Sequence, residues 1–269
     1  MRQALQAQTA PSGQVVKTIR ASLFLISIVI ILIILTVNSL SIECVVYPTA
    51  TRTFAELVAC GPRPFDPVGD CPGSLRLTLM YNSKAKPKYG AFKQTTFGYV
   101  DRPALWSSTS VAIKQSFYTS PSTGTRILFD KHSQLKKLAA ELNCLRWASA
   151  LMGLVYSFID EHKKANDNSP FPFPIPEMVF VKSALAISET DHEVFLLEEV
   201  IDSAVEGPFI KYIGNGSVIP SNFLIGEQLH RGEFLSFCQH VQFLKTKGLA
   251  FVGDFQGECD HVPVKPINS

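Results

Sequence analysis

Between positions 21 and 42 no charged side chain interrupts the sequence, and 24–37 is Leu, Ile, Val and Phe apart from Ser27 and Thr36. At about 1.5 Å per residue such a helix spans about 30 Å, the thickness of a bilayer core. A buried helix of a soluble domain rarely stays apolar on every side over this length. The pattern predicts a transmembrane helix over 21–42 behind a basic tail, 1–20. A cleaved signal peptide is the alternative reading, with Ser39-Leu40-Ser41 as a small-x-small site. Arg2, Lys17 and Arg20 precede the segment, and Arg52 alone follows it before Arg63. The positive-inside rule therefore favours a cytoplasmic N-terminus with the remainder outside.

Residues 43–74 carry Pro48, Gly61-Pro62, Pro64, Pro67, Gly69 and Pro72-Gly73, a breaker density that predicts a linker. Beyond 74 the pattern is mixed. Runs at 75–81, 97–100 and 111–118 read as strands. Ser133 can cap a long helix whose apolar stripe is Leu135, Leu138, Leu142, Leu145, Met152, Val155 and Ile159. A Pro-rich loop at 166–176 precedes strands at 178–187 and 193–202. A helix at 232–245 and a strand at 249–255 follow. Strands around one long helix, then a strand pair, predict an α+β lobe.

Composition adds little to this outline. The 269 residues are 46% hydrophobic and 18% charged, a globular balance and not a disordered one. The net charge of +2 points to no nucleic-acid partner. Cys44, Cys60, Cys71, Cys144, Cys238 and Cys259 include no CxxC pair, so no zinc knuckle is signalled. The first three could pair in an oxidising compartment; the last three read as buried small hydrophobes.

Five places could carry chemistry. Strand alternation sets Lys114 on one face with Ala112 and Ser116, where a lysine can neutralise nucleotide phosphates or can simply be solvated. Glu141 lies at the edge of the long helix's buried stripe. There it can hold a strand lysine by an ion pair, or be an ordinary surface acid. In FLLEEVI, 195–201, two acids close an apolar strand, as at a hinge against which adenine binds or at a plain strand end. Lys211 stands before the Gly214-Asn215-Gly216 turn and can reach phosphate or solvent. In Asp254-Phe255-Gln256-Gly257 a carboxylate with an amide two residues on can hold magnesium, or mark a simple turn.

Taken in order, these segments resemble the alpha-kinases, atypical protein Ser/Thr kinases that include myosin heavy-chain kinase. YGAFKQTTFG (89–98) resembles the family's loop near the phosphates and puts Lys93 at its basic position. VAIKQSF carries Lys114 as the nucleotide lysine. AELNCLRWASALMGLVYSFID (140–160) resembles the long helix, with Glu141 as its acid. FLLEEVI resembles the hinge motif, with Glu198 and Glu199. FIKYIGN carries Lys211 and Asn215. FCQHVQFLKTKGLAFVGDFQG (237–257) is the strongest likeness, with Asp254 as catalytic acid and Gln256 as metal ligand. The resemblance covers about 75–257. It implies an atypical two-lobed protein-kinase-like fold, ATP and magnesium as cofactors, phosphoryl transfer to protein Ser or Thr, and a domain on the cytoplasmic side, against the positive-inside reading above, so the side of the membrane stays open. After Gly257 the family continues to an aspartate-containing LTDP-type motif and a structural zinc module with His and Cys ligands. Here the sequence reads ECDHVPVKPINS, without those ligands, so the resemblance implies an incomplete C-terminal lobe and a divergent tail, 258–269. The alternative expectation is an inactive, membrane-tethered pseudokinase or fragment that binds nucleotide or a protein partner.

Overall fold

The computed structural model describes residues 39–61, 63, 65–67, 69–166, 175–201 and 209–257. The protein is mixed α/β. Ten strands are present among the described residues: β1 (Ser39–Pro48), β2 (Leu75–Asn82), β3 (Lys88–Tyr89), β4 (Lys93–Val100), β5 (Ser110–Thr119), β6 (Arg126–Leu128), β7 (Ser183–Ser188), β8 (Val194–Glu199), β9 (Ile210–Lys211) and β10 (Gln256–Gly257). Three helices accompany them among the described residues: α1 (Phe54–Cys60), α2 (Lys131–Ala165) and α3 (Glu227–Lys245).

Eight strands form one sheet in the order β3-β4-β2-β1-β7-β8-β5-β6, and β4 also pairs with β5. That extra pairing closes β4-β2-β1-β7-β8-β5 into a six-stranded, barrel-like ring, antiparallel throughout. Its interior is filled by alternate residues, among them Val46, Leu79, Val100, Ile113, Phe195 and Leu197. The opposite set on β7 and β8, Leu185, Val194 and Leu196, faces Leu138 and Leu142 of α2. A third cluster joins Met152, Val155 and Ile159 of α2 to Leu235, Cys238 and Val241 of α3 and to Ile210, Tyr212 and Phe255. One long helix thus serves two cores: its first half covers the barrel and its second half seats α3.

Several sequence expectations change. Ser39–Pro48 is a strand held between β2 and β7, so neither the last four residues of the 21–42 span nor the start of the 43–74 segment is helix or linker. Ile42, Cys44 and Val46 point into the core while Ser41 and Glu43 point out. This period-2 signal was hidden because its apolar half abuts an apolar run and Pro48 closes it. The rest of 21–42, with 1–20 and 258–269, lies outside the described residues. The 43–74 segment also holds α1, opened by a capping box in which Thr53 and Glu56 satisfy each other's backbone N–H groups. Asp130, not Ser133, caps α2 and accepts from the Ser133 N–H at 3.0 Å. The strand expected at 249–255 is irregular backbone. Side chains of Gln239 and Gln242 in α3 and of Thr246 just after it take the backbone groups of Val252 and Ala250, and the Phe255 carbonyl accepts from Tyr212 and Ile213, so no ladder is needed.

Within the described residues one helix, α2, is long and apolar enough to cross a membrane. Its apolar residues pack against the barrel and α3, as those of a core helix do. Cys44 and Cys238 are buried free thiols, and Cys60, Cys71 and Cys144 are also unpaired. The pairing considered for the first three is not formed, and Cys144 is exposed where a buried position was expected.

Candidate functional site

The site starts from the pairing of β4 with β5. Lys93 lies opposite Ser116 and Thr95 opposite Lys114, so the two lysines are diagonal neighbours. Alternation puts both on the outer face, away from the barrel interior that Val111 and Ile113 fill. Gly98 on β4 is required by packing: a Cβ there would meet the Met80 carbonyl oxygen at 2.6 Å and Ile113 at 2.8 Å.

Helix α2 is fastened to this face by Gln134, 2% exposed. Its Oε1 accepts from the Ser116 N–H at 2.9 Å, and its amide donates to the Ser116 carbonyl at 2.6 Å. Two turns further on, the same face of the helix presents Glu141, which forms an ion pair with Lys93. Lys114 forms its ion pair with Glu198 of β8. The strand lysine that Glu141 holds is therefore Lys93, and Glu198 binds by side chain where a hinge contact was expected. Lys93 and Lys114 are about a quarter exposed, at 26% and 23%. Beside Lys93 opens a cleft of about 540 Å³ lined by Phe92, Lys93, Ser116, Phe117, Lys137 and Glu141. Lys137 adds a third cation, stacked 4.2 Å from the Phe129 ring centroid.

Glu199 is not brought to the lysines. It follows Glu198 by one residue and so turns to the other face. It accepts from the Ser107 N–H (2.8 Å) and hydroxyl (2.7 Å), tying the 101–109 loop to β8. Burial pushes its carboxyl up, but these two bonds and nearby Lys182 outweigh that and hold it below its ordinary value.

A second cluster lies on the α3 side. Gln256 pairs with Lys211 across β9 and β10, and the Phe255 carbonyl accepts from the Tyr212 and Ile213 N–H groups. The Lys211 ammonium lies 2.8 Å from Asp254 Oδ1. That oxygen is enclosed and has no aligned hydrogen bond, so the contact is an ion pair by proximity alone. Asp254 itself takes φ 58°, a left-handed conformation uncommon outside glycine. The turn expected to rely on Gly257 is thus made at Asp254, with Gly257 already in β10. Buried glutamines of α3 hold the approach: Gln239 donates to the Val252 carbonyl (2.9 Å) and Gln242 accepts from the Val252 N–H (2.8 Å). Asn215 is exposed in the turn after β9, and residues 202–208, between the clusters in sequence, lie outside the described set.

Sequence reasoning missed Gln134 and Lys137. Gln134 stands seven residues before Glu141, a two-turn spacing that could have flagged it. Missed also was Asp70, whose side chain is 1% exposed and meets Arg63 at 2.6 Å and Arg146 at 3.2 Å. This buried group ties the 61–70 segment to α2.

The arrangement offers Lys93 and Lys137 on the cleft and Lys114 diagonal to Lys93, with Lys93 and Lys114 each balanced by its own carboxylate, and a separate Asp–Lys–Gln cluster with an enclosed carboxylate oxygen. No protein-family model matches the chain, and no curated protein matches it in sequence.

Proposed function

We propose that the protein binds ATP with magnesium and is a protein Ser/Thr kinase of the alpha-kinase type, with an atypical kinase-like fold. The observation that carries this reading is the pair of lysines on one face of β4 and β5, one held by the helix acid Glu141 and one by Glu198. A polyphosphate needs fixed cations, and a carboxylate partner holds each lysine in place and aims it. On ligand binding, Lys93 and Lys114 exchange a carboxylate oxygen for a phosphate oxygen. The residues also suit magnesium, which is commonly held by one or two carboxylates together with substrate phosphates and water. Asp254 has an enclosed oxygen without an aligned donor, and Gln256 is its neighbour two residues on. Those two would hold the ion, which would neutralise charge on the transferring phosphoryl group. Lys211 would then turn from Asp254 to phosphate.

A second reading, nucleotide binding without transfer, is favoured by one contact: Lys211 occupies Asp254 where the metal would sit. The experiments separate the two. At about 100 times its Kd, Mg-ATP adds roughly 2.7 kcal/mol, a rise in melting temperature of about 5–10 °C for a domain of this size. Lys114→Ala abolishes most of that rise. Phosphate transfer to a protein substrate that disappears in Asp254→Ala supports the kinase. A full thermal shift without transfer supports the second reading, and no shift ends both. The sequon Asn215-Gly216-Ser217 is exposed at Asn215. A glycan there in cells would place this domain in a lumen and sink the proposal of a cytoplasmic kinase.

A further inference from the structure

Ser39 lies opposite Asn82 in the β1–β2 ladder, with Cα atoms of such pairs about 4.5–5.5 Å apart. Immediately before Ser39 runs the uncharged apolar sequence 21–38. Immediately after Asn82 the chain leaves β2, with the Ala85 N–H donating to the Asn82 carbonyl (3.0 Å), and rejoins the sheet as β3. This excursion carries Lys84, Lys86 and Lys88, and 83–92 contains no acidic residue. All three lysines are exposed, and Phe92 on the same hairpin is 78% exposed. Chain reach bounds the geometry: Lys84 and Lys86 lie two and four residues from Asn82, so within roughly 7–14 Å of it. That is about one Debye length at physiological salt, roughly 8 Å, to somewhat under two. The acidic turn 189–193 starts level with Cys44, where Ser188 pairs, and its Glu189 N–H donates to the Glu43 carbonyl at 2.9 Å.

We propose that this end of the barrel is a membrane-docking face, on which Lys84, Lys86 and Lys88 rest against anionic lipid headgroups of the bilayer that takes up 21–38, with Phe92 at the interface. Juxtamembrane lysines are drawn to anionic leaflets over about this distance, and an exposed aromatic beside them suits the headgroup layer. The proposal rests on the membrane reading of 21–38 and does not need the nucleotide reading, although the two share Phe92, which also lines the cleft beside Lys93.

The test uses the full chain in nanodiscs of neutral lipid or of lipid with about 30 mol% phosphatidylserine. A water-soluble amine-acetylating reagent is applied, and rates at individual lysines are read by mass spectrometry. Lys163 and Lys164 serve as references, because they end a 35-residue helix about 50 Å long. The expected result is a several-fold slower reaction at Lys84 and Lys86 in anionic discs, relative to the references, reversed at about 1 M salt where screening falls to about 3 Å. Equal relative rates in both discs overturn the docking face. A chain that does not stay with the discs overturns it as well, by removing the membrane segment, while leaving the Mg-ATP melt to decide the nucleotide reading.

Discussion

The two candidate clusters are held in place by different means. Around Lys93 and Lys114 the backbone is fixed by continuous ladders: β4 with β5, and β5 with β8. Around Asp254 only two residues of β10 meet β9, and the irregular segment before them hangs on Gln239 and Gln242 of α3 and on Thr246 just after it. A ladder shares its load among many bonds, whereas three side chains share it among a few. The lysine pair is thus built on the more rigid half, and the Asp254 cluster on the half in which one substitution can move the carboxylate.

The sharpest way to break this contrast is to attack what joins the halves. Asp70 neutralises Arg146 of α2, whose side chain is 5% exposed. Asp70→Ala leaves that cation buried and is expected to destabilise by about 3–5 kcal/mol in denaturant melts, loosening both clusters together. If only one cluster responds, the halves are less coupled than the shared helix implies. The pH dependence follows from the same group. Burial pushes the Asp70 carboxyl up, but the Asp66 N–H, Arg146 and Arg63 outweigh it and hold it below its ordinary 3.8. A depressed folded value means a contribution that is present above the unfolded value and lost as pH falls through the folded one. Acid unfolding below about pH 4 should therefore be shallower in Asp70→Asn than in the parent.

Core truncations compare the halves directly. Leu196→Ala, under the lysine face, and Leu235→Ala, under the Asp254 side, each remove a fully buried side chain and are expected to cost about 2–5 kcal/mol. Native-state hydrogen exchange should show Leu235→Ala exposing 249–257 by local opening. Leu196→Ala should instead lower protection across the whole ring of strands. The reverse pattern would refute the contrast.

Gln242→Ala removes the acceptor for the Val252 N–H and should cost about 1–3 kcal/mol. On the proposed kinase reading it should impair phosphate transfer more than ATP binding, because it moves Asp254 and not the lysines. The smallest effect is expected for Thr53→Ala, which removes the α1 capping box for about 1 kcal/mol and should leave the nucleotide-induced shift unchanged.

Much of the architecture was legible because local periodicity and burial agreed. The strands at 75–82 and 110–119 and the long helix carry clear periods of two and 3.6. Ser39–Pro48 was not legible, since an apolar run and a proline-rich stretch framed a strand whose partners, β2 and β7, are distant in sequence. Nor was the irregular path of 249–255, which β-propensity favours as a strand but which side chains of α3 and of Thr246 satisfy instead.

By itself the sequence determined which residues could carry charge into a site, Lys93, Lys114, Glu141, Glu198, Lys211 and Asp254, and which neutral amide, Gln256, could stand beside them. It also determined which positions form the apolar stripe of α2, because these depend on residue type and short-range spacing. Tertiary structure alone decided the partners. Closing the sheet between β4 and β5 set Lys93 diagonal to Lys114, seating α2 by Gln134 gave Glu141 to Lys93, and the pairing of β5 with β8 gave Glu198 to Lys114. The β1–β2 ladder put Asn82, and with it Lys84 and Lys86, near Ser39, over forty positions away in the chain. An ion pair forms where side chains meet in space, and only the register of non-local strands fixes that meeting.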